Sequence, residues 1–429
     1  MMEPFGAKPR ALRCTLFRVL FLATLAMLTG CGGSTPPQVG LPTQPGAAPV
    51  NSYVGGQGNS PSEALPWSVT IDRSKNVYSY SNPSSPSPVP VTGSVAALTG
   101  GSLVLLGPNG YQNGLAVEIP GDAIILRPGD TTTAPVFAVR QASCFTIGGN
   151  VKFLFVFSPG LTITNQAFFG RVYASTGSDA TQWQFSNQTL YQAPSGSLPS
   201  NAIVPGYPGD YPGTCTSSSG SAAVSSAPLA NFGAGSQNSS TYTLPTEYVI
   251  SPGGFFFENQ DYVNVPPALG WSYPAISAWG VSEPPAPLAV GATAQVSYVG
   301  FLFETTNGNK TYRTRLVGFG GSSVSGTVMT GGTFPNEDPT QPSTVNMSIT
   351  FGTQDPLNNG VYYLAKLTTP DDGTAFTISC LTYGVGQSGT PACTNNAVAT
   401  VGYSNGRYAI ILSAIDTSGN QEMLVLFQQ

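Results

Sequence analysis

The sequence predicts an all-β protein, made of antiparallel sandwiches, up-and-down barrels or both, behind a flexible N-terminal tether. Three observations carry this. Only 8% of the 429 residues are charged, far below the quarter usual for a soluble domain, so the ionic helix formers are scarce. Val, Thr, Tyr and Phe recur in segments of strand length, as in VKFLFVF and RYAIILSAI, where branched and aromatic side chains pack well. These segments are separated by clusters of Gly, Pro, Asn and Ser, with 51 Gly and 38 Pro in the chain, which are the residues of turns.

The chain begins with a short basic stretch, residues 1–18, carrying Lys8, Arg10, Arg13 and Arg18. An apolar run follows, VLFLATLAML at 19–28. Ten residues are too few to span a bilayer, where about 20 are needed. A basic start, a short apolar core and small residues before a cut form a secretory signal peptide, expected over 1–30. The residues at the cut, Leu28-Thr29-Gly30-Cys31, resemble the lipobox of bacterial lipoproteins. That resemblance implies a diacylglycerol on the Cys31 sulfur, cleavage before Cys31 and acylation of the new amino group. It implies a membrane partner through the lipid anchor, since two or more acyl chains hold a protein firmly. Gly32 stands where an Asp tends to retain such proteins at the inner membrane, so the family resemblance leans towards the outer membrane. The resemblance covers about 31 residues and says nothing of the rest.

Residues 31–66 then read as the lipidated cysteine and a tether rich in Gly, Pro and Ser, with the single charge Glu63. At roughly 5–6 Å × √n its coil size is about 30 Å. A β-rich domain is expected over 67–280, opening at Trp67 and running through SLVLLG, LAVEIP, DAIILRP and VKFLFVF. The tract 216–241, TSSSGSAAVSSAPLANFGAGSQNSST, is expected to be a long loop or a linker within it. FFFENQD at 255–261 reads as a buried strand ending in a turn. A Pro-rich linker is expected at 281–293, and an antiparallel β domain over 294–429. There QVSYVGFLFETT and TYRTRLVGF form a hairpin around Asn307-Gly308, VNMSITF alternates Val345, Met347, Ile349 and Phe351 against polar neighbours, and QEMLVLFQ closes the fold. Nine strands are expected in this part. Sequence alone leaves sandwich and barrel open. A transmembrane barrel is a poorer fit, because several strands are apolar on both faces.

Cys144, Cys215, Cys380 and Cys393 lie in the exported part. In an oxidising compartment four cysteines form two disulfides, and the domain boundary favours Cys144–Cys215 and Cys380–Cys393. No C-x-x-C spacing supports zinc, and neither metal nor cofactor is expected. The chain has no histidine, so no Ser-His-Asp or Cys-His site can be built within it. Without the first 30 residues, eleven basic residues face nineteen acidic ones, a balance opposite to that of a nucleic-acid binder.

Three constellations invite a functional reading. Trp271, Tyr273 and Trp279 place two of four tryptophans within nine residues. Exposed, they would stack on a glycan or grip a protein; buried, they would fill a core or join two domains. Asp416, Ser418, Asn420 and Glu422 alternate oxygen side chains but lack the Gly and Glu of a calcium loop, and fit a polar turn. Glu337-Asp338 and Asp371-Asp372 are acid pairs in Pro/Gly turns, usually solvated. No residue is assigned a catalytic role. The sequence therefore points to a lipid-anchored extracytoplasmic β-rich protein with a non-enzymatic binding or structural role in the cell envelope. The alternative is a carboxylate-based enzyme acting on envelope or external polysaccharide.

Overall fold

The computed structural model describes residues 49–57, 67–81, 89–98, 101–142, 144–157, 166–180, 182–194, 211–216, 221–228, 243–260, 276–284, 295–306, 311–325, 328–333, 347–351, 353–354, 359–370, 392–404, 407–415 and 421–429. Every regular element among them is a β-strand. The sequence ambiguity resolves in favour of barrels.

The first barrel comprises β1 (Val50–Gln57), β2 (Trp67–Asp72), β3 (Val77–Ser81), β4 (Val91–Ala97), β5 (Ser102–Leu106), β6 (Gln112–Ile119), β7 (Ala123–Pro128) and β8 (Val136–Arg140). Each strand pairs antiparallel with the next, and β8 returns to β1 with Val54 opposite Val139. The second comprises β9 (Val151–Phe157), β10 (Gln166–Thr176), β11 (Gln182–Pro194), β12 (Tyr211–Thr216), β13 (Ser221–Pro228), β14 (Thr243–Ile250), β15 (Phe255–Gln260) and β16 (Ile276–Ser282). It closes where β16 meets β9, Trp279 opposite Val156.

The third sheet comprises β17 (Gln295–Thr306), β18 (Thr311–Ser325), β19 (Val328–Thr333), β20 (Met347–Thr350), β21 (Thr353–Gln354), β22 (Val361–Pro370), β23 (Ala392–Ser404), β24 (Arg407–Ile415) and β25 (Gln421–Gln428). The C-terminal strand β25 lies between β17 and β24. Pairing of β20 with β22, Ser348 opposite Thr368, completes the ring, and the short β21 sits beside β22.

Alternation along the strands sorts the cores. In the first barrel Tyr53, Trp67, Ile71, Tyr78, Tyr80 and Ala138 belong to an interior cluster. In the third, Tyr298, Leu302, Phe319, Met347, Ile349 and Leu424 do the same. In the second, Phe256 stacks between Phe153 and Phe155, at 5.5 and 5.7 Å. The opposite faces form one further cluster shared by all three barrels, including Val117 and Phe137, Leu154 and Trp279, Phe301 and Phe427. Glycines let strands approach there: a Cβ on Gly402 would lie 2.2 Å from the Val281 side chain. The apolar outer faces of the barrels thus cover one another.

Polar contacts reinforce these joints. On the third barrel, Thr314 accepts from Arg127 Nη1 through its carbonyl (3.2 Å) and donates its hydroxyl to the Thr133 carbonyl (2.6 Å). Glu283 accepts from Lys152 Nζ and from the Asn359 amide, both at 2.8 Å, joining the second barrel to the third.

Three sequence expectations change. First, β1 lies inside 31–66, the stretch expected to be tether. Its Gly55 and Gly56 look like linker residues, but a Cβ on Gly55 would lie 1.9 Å from the Phe137 carbonyl oxygen; the glycine marks a close backbone approach. Second, residues 67–280 carry strands of two barrels rather than one domain. The segment between β8 and β9 contains little Pro or Ser to announce a boundary. Third, β13 lies within the 216–241 tract and pairs with both β12 and β14. Its Ala and Ser side chains give no hydrophobic signal, but a backbone ladder does not need one.

Candidate functional site

Two polar clusters of the described residues lie on inward faces of barrel strands. In the first barrel, Leu115, Val117 and Ile119 face outward, so Glu118 between them points inward, and it is buried. Its carboxylate accepts from the Tyr53 hydroxyl and from Arg73 Nη2. The Gly121 amide donates to the Tyr53 oxygen at 3.1 Å, and Arg140 Nη1 donates to the Gly121 carbonyl at 3.3 Å. Burial, with the Glu118 carboxylate beside it, pushes the Tyr53 hydroxyl well above its ordinary pKa, so it stays protonated as a donor. Both Glu118 oxygens are therefore engaged, one by a guanidinium. So held, the Glu118 carboxylate is occupied by the barrel's own donors.

In the third barrel, Glu304 shares the inward face of β17 with Tyr298 and Leu302. It stands opposite Arg313 on β18 and opposite Glu422 on β25. Arg315, opposite Leu302, lies on the same face as Arg313. Cross-strand neighbours have Cβ atoms about 4.5–5.5 Å apart, so two acids and two arginines form one patch at the barrel end. Glu304 and Glu422 are only 5% and 3% exposed, which denies a polysaccharide access to them.

None of Tyr53, Arg73, Glu118, Glu304, Arg313 or Arg315 stands out in the sequence. Glu422 falls both at the end of the polar stretch Asp416–Glu422 and in the expected strand QEMLVLFQ; it is a buried residue of that strand, β25. The signal was available: in a chain this poor in charge, an ionic residue in phase with inward apolar positions, as Glu304 is with Tyr298 and Leu302, marks a charged group on the inward face of a barrel strand.

Of the residues the sequence did single out, Cys144 and Cys215 form a disulfide with Cα atoms 5.9 Å apart across 71 residues. It ties the segment before β9 to β12. Trp279 is fully buried, stacked on Phe137 of the first barrel at 5.2 Å and 17°. It joins two barrels and cannot meet a ligand from solvent, which removes it from the aromatic binding surface. Trp271, Tyr273, Cys31, Cys380, Asp416, Ser418, Asn420 and both acid pairs lie outside the described residues, and so does the Cys380–Cys393 link. Among the described residues no cluster of His, Cys, Asp and Glu could hold a metal ion, and no helix is long and apolar enough to cross a membrane.

No protein-family model matches the chain, and no curated protein sequence matches it. Among solved structures it is similar to transferrin binding protein B from serogroup B Neisseria meningitidis, at 10% identity and a TM-score of 0.28, over 89% of this chain and 75% of that one. It is also similar to a double mutant of transferrin binding protein B from Haemophilus parasuis, at 7% identity and a TM-score of 0.29, over 89% and 76%.

Proposed function

We propose that this chain is a lipid-anchored, extracytoplasmic protein with a non-enzymatic binding or structural role in the cell envelope. The observation that carries this is the distribution of surfaces. Among the described residues, apolar side chains fill the barrel interiors, ionic groups stand on inward faces of the first and third barrels, and apolar outer residues of all three meet in one cluster. The lipobox at Leu28–Cys31 supplies the anchor, and the Cys144–Cys215 disulfide suits an oxidising compartment. Gly32 favours the outer membrane. Glu118, Glu304 and Glu422 are buried, which supports binding over carboxylate catalysis.

Fractionation of cells producing the full chain or its Cys31→Ala variant tests the anchor. The wild type should sediment with membranes, and the variant should be released or remain an uncleaved precursor. Identical distribution of the two would overturn the anchor. Incubation of the detergent-solubilised protein with envelope polysaccharide tests the role: release of reducing ends would replace binding with catalysis.

A further inference from the structure

The turn between β5 and β6, Gly107-Pro108-Asn109-Gly110-Tyr111, sits at the mouth of the first barrel and plays no part in the clusters above. Its backbone is fixed. The Gly110 amide donates to the Gly107 carbonyl and the Gly107 amide to the Tyr111 carbonyl, both at 2.9 Å. Asn109 Oδ1 accepts from the Tyr111 amide at 3.3 Å. Pro108 suits the second position of such a turn, and Gly110 has φ +78°, a left-handed conformation that favours glycine. The next strand is held by Asn113, whose Nδ2 donates to the Tyr78 hydroxyl at 3.1 Å.

On this fixed tip the Tyr111 side chain is 75% exposed. With Gly107, Pro108, Asn109, Gln112 and Asn113 it lines an open recess of about 480 Å³. No charged residue occurs between positions 98 and 117.

We propose that this recess binds a neutral oligosaccharide. A sugar ring has an apolar face of C–H groups and an edge of hydroxyls that both donate and accept. Tyr111 offers the first a flat aromatic face. The amides of Asn109, Gln112 and Asn113 offer the second both donors and acceptors. An anionic ligand would find no cation here, and a purely apolar one would strip water from three amides without replacing it. A protein partner needs about 800 Å² of surface on each side, more than one hairpin tip supplies, whereas the recess has the size of a small-ligand site. A fixed turn also lowers the ordering cost of binding.

This proposal rests on the binding role proposed above and names its ligand class. The test is saturation-transfer NMR of the detergent-solubilised full chain with chitotetraose, cellotetraose and maltotetraose, each at about 1 mM, in the range of weak binding. At least one should give transfer to its ring protons. Tyr111→Ala should weaken that binding about tenfold while the thermal unfolding midpoint stays unchanged, because the ring is exposed. Gln112→Ala should weaken it less. Absence of transfer from all three saccharides overturns the ligand class, and equal binding by Tyr111→Ala overturns the site. Either result leaves the membrane fractionation and the reducing-end assay to judge the envelope role separately.

Discussion

Replacing Trp279 by Ala should destabilise the protein by about 4 kcal/mol. The indole is fully buried in the cluster shared by the three barrels. Burial of roughly 150–250 Å² at about 25 cal/mol per Å² is worth about 4–6 kcal/mol, and truncation of a buried Trp costs about 3–5 kcal/mol in practice. Loss of the stack on Phe137, at 5.2 Å, is part of that cost. Among the described residues the indole Nε1 has no hydrogen-bond partner, so truncation leaves no polar group stranded. At roughly 2–4 °C per kcal/mol, the midpoint of thermal unfolding should fall by about 8–16 °C. Trp279→Phe keeps an aromatic ring against Phe137 and should lose less than half as much. Calorimetry of the purified full chain measures both. A Trp279→Ala midpoint within about 2 °C of wild type would refute the reasoning, because an exposed Trp costs little to remove.

Three further outcomes follow from the strand pairing and the disulfide. Removal of residues 421–429 takes out β25, whose Met423, Leu424, Val425, Leu426 and Phe427 are all buried. At about 1.5–3 kcal/mol each their loss matches a whole domain's stability of about 5–15 kcal/mol. The third barrel should unfold, and an unchanged melting profile would contradict its ring order. Gly300→Ala would place a Cβ 1.6 Å from the Val425 carbonyl oxygen, so it should cost more than about 3 kcal/mol by urea titration; an unshifted midpoint would mean that β17 and β25 do not pair in this register. Non-reducing peptide mapping should recover Cys144 linked to Cys215, and Cys215→Ala should cost about 2–4 kcal/mol; free thiols at both positions would contradict the bond.

The all-β class was legible because scarcity of charge, strand-length apolar runs and turn residues all pointed the same way. The FFFENQD segment shows it: β15 begins at Phe255, with Phe255, Phe256 and Phe257 all buried. The choice of barrel over sandwich was not legible, since it depends on which first and last strands meet, as β1 meets β8, and that is a long-range fact. β1 itself was hidden by the glycines that its close packing requires, and β13 by small side chains whose pairing is carried by the backbone. Trp279 could be read from sequence as exposed or buried with equal sense. Only the position of Phe137, 142 residues earlier in the chain, decides it. Glu118 and Arg73 do not stand out because a buried ion pair between a turn residue and a distant strand leaves no local motif.

The proposed lipid on Cys31 is tested by mass spectrometry of the N-terminal peptide from the membrane fraction. Residues 1–30 should be absent, and the peptide should begin at Cys31 carrying a diacylglycerol and an acylated amino group. An intact Met1 terminus, or an unmodified Cys31 in that fraction, would contradict it.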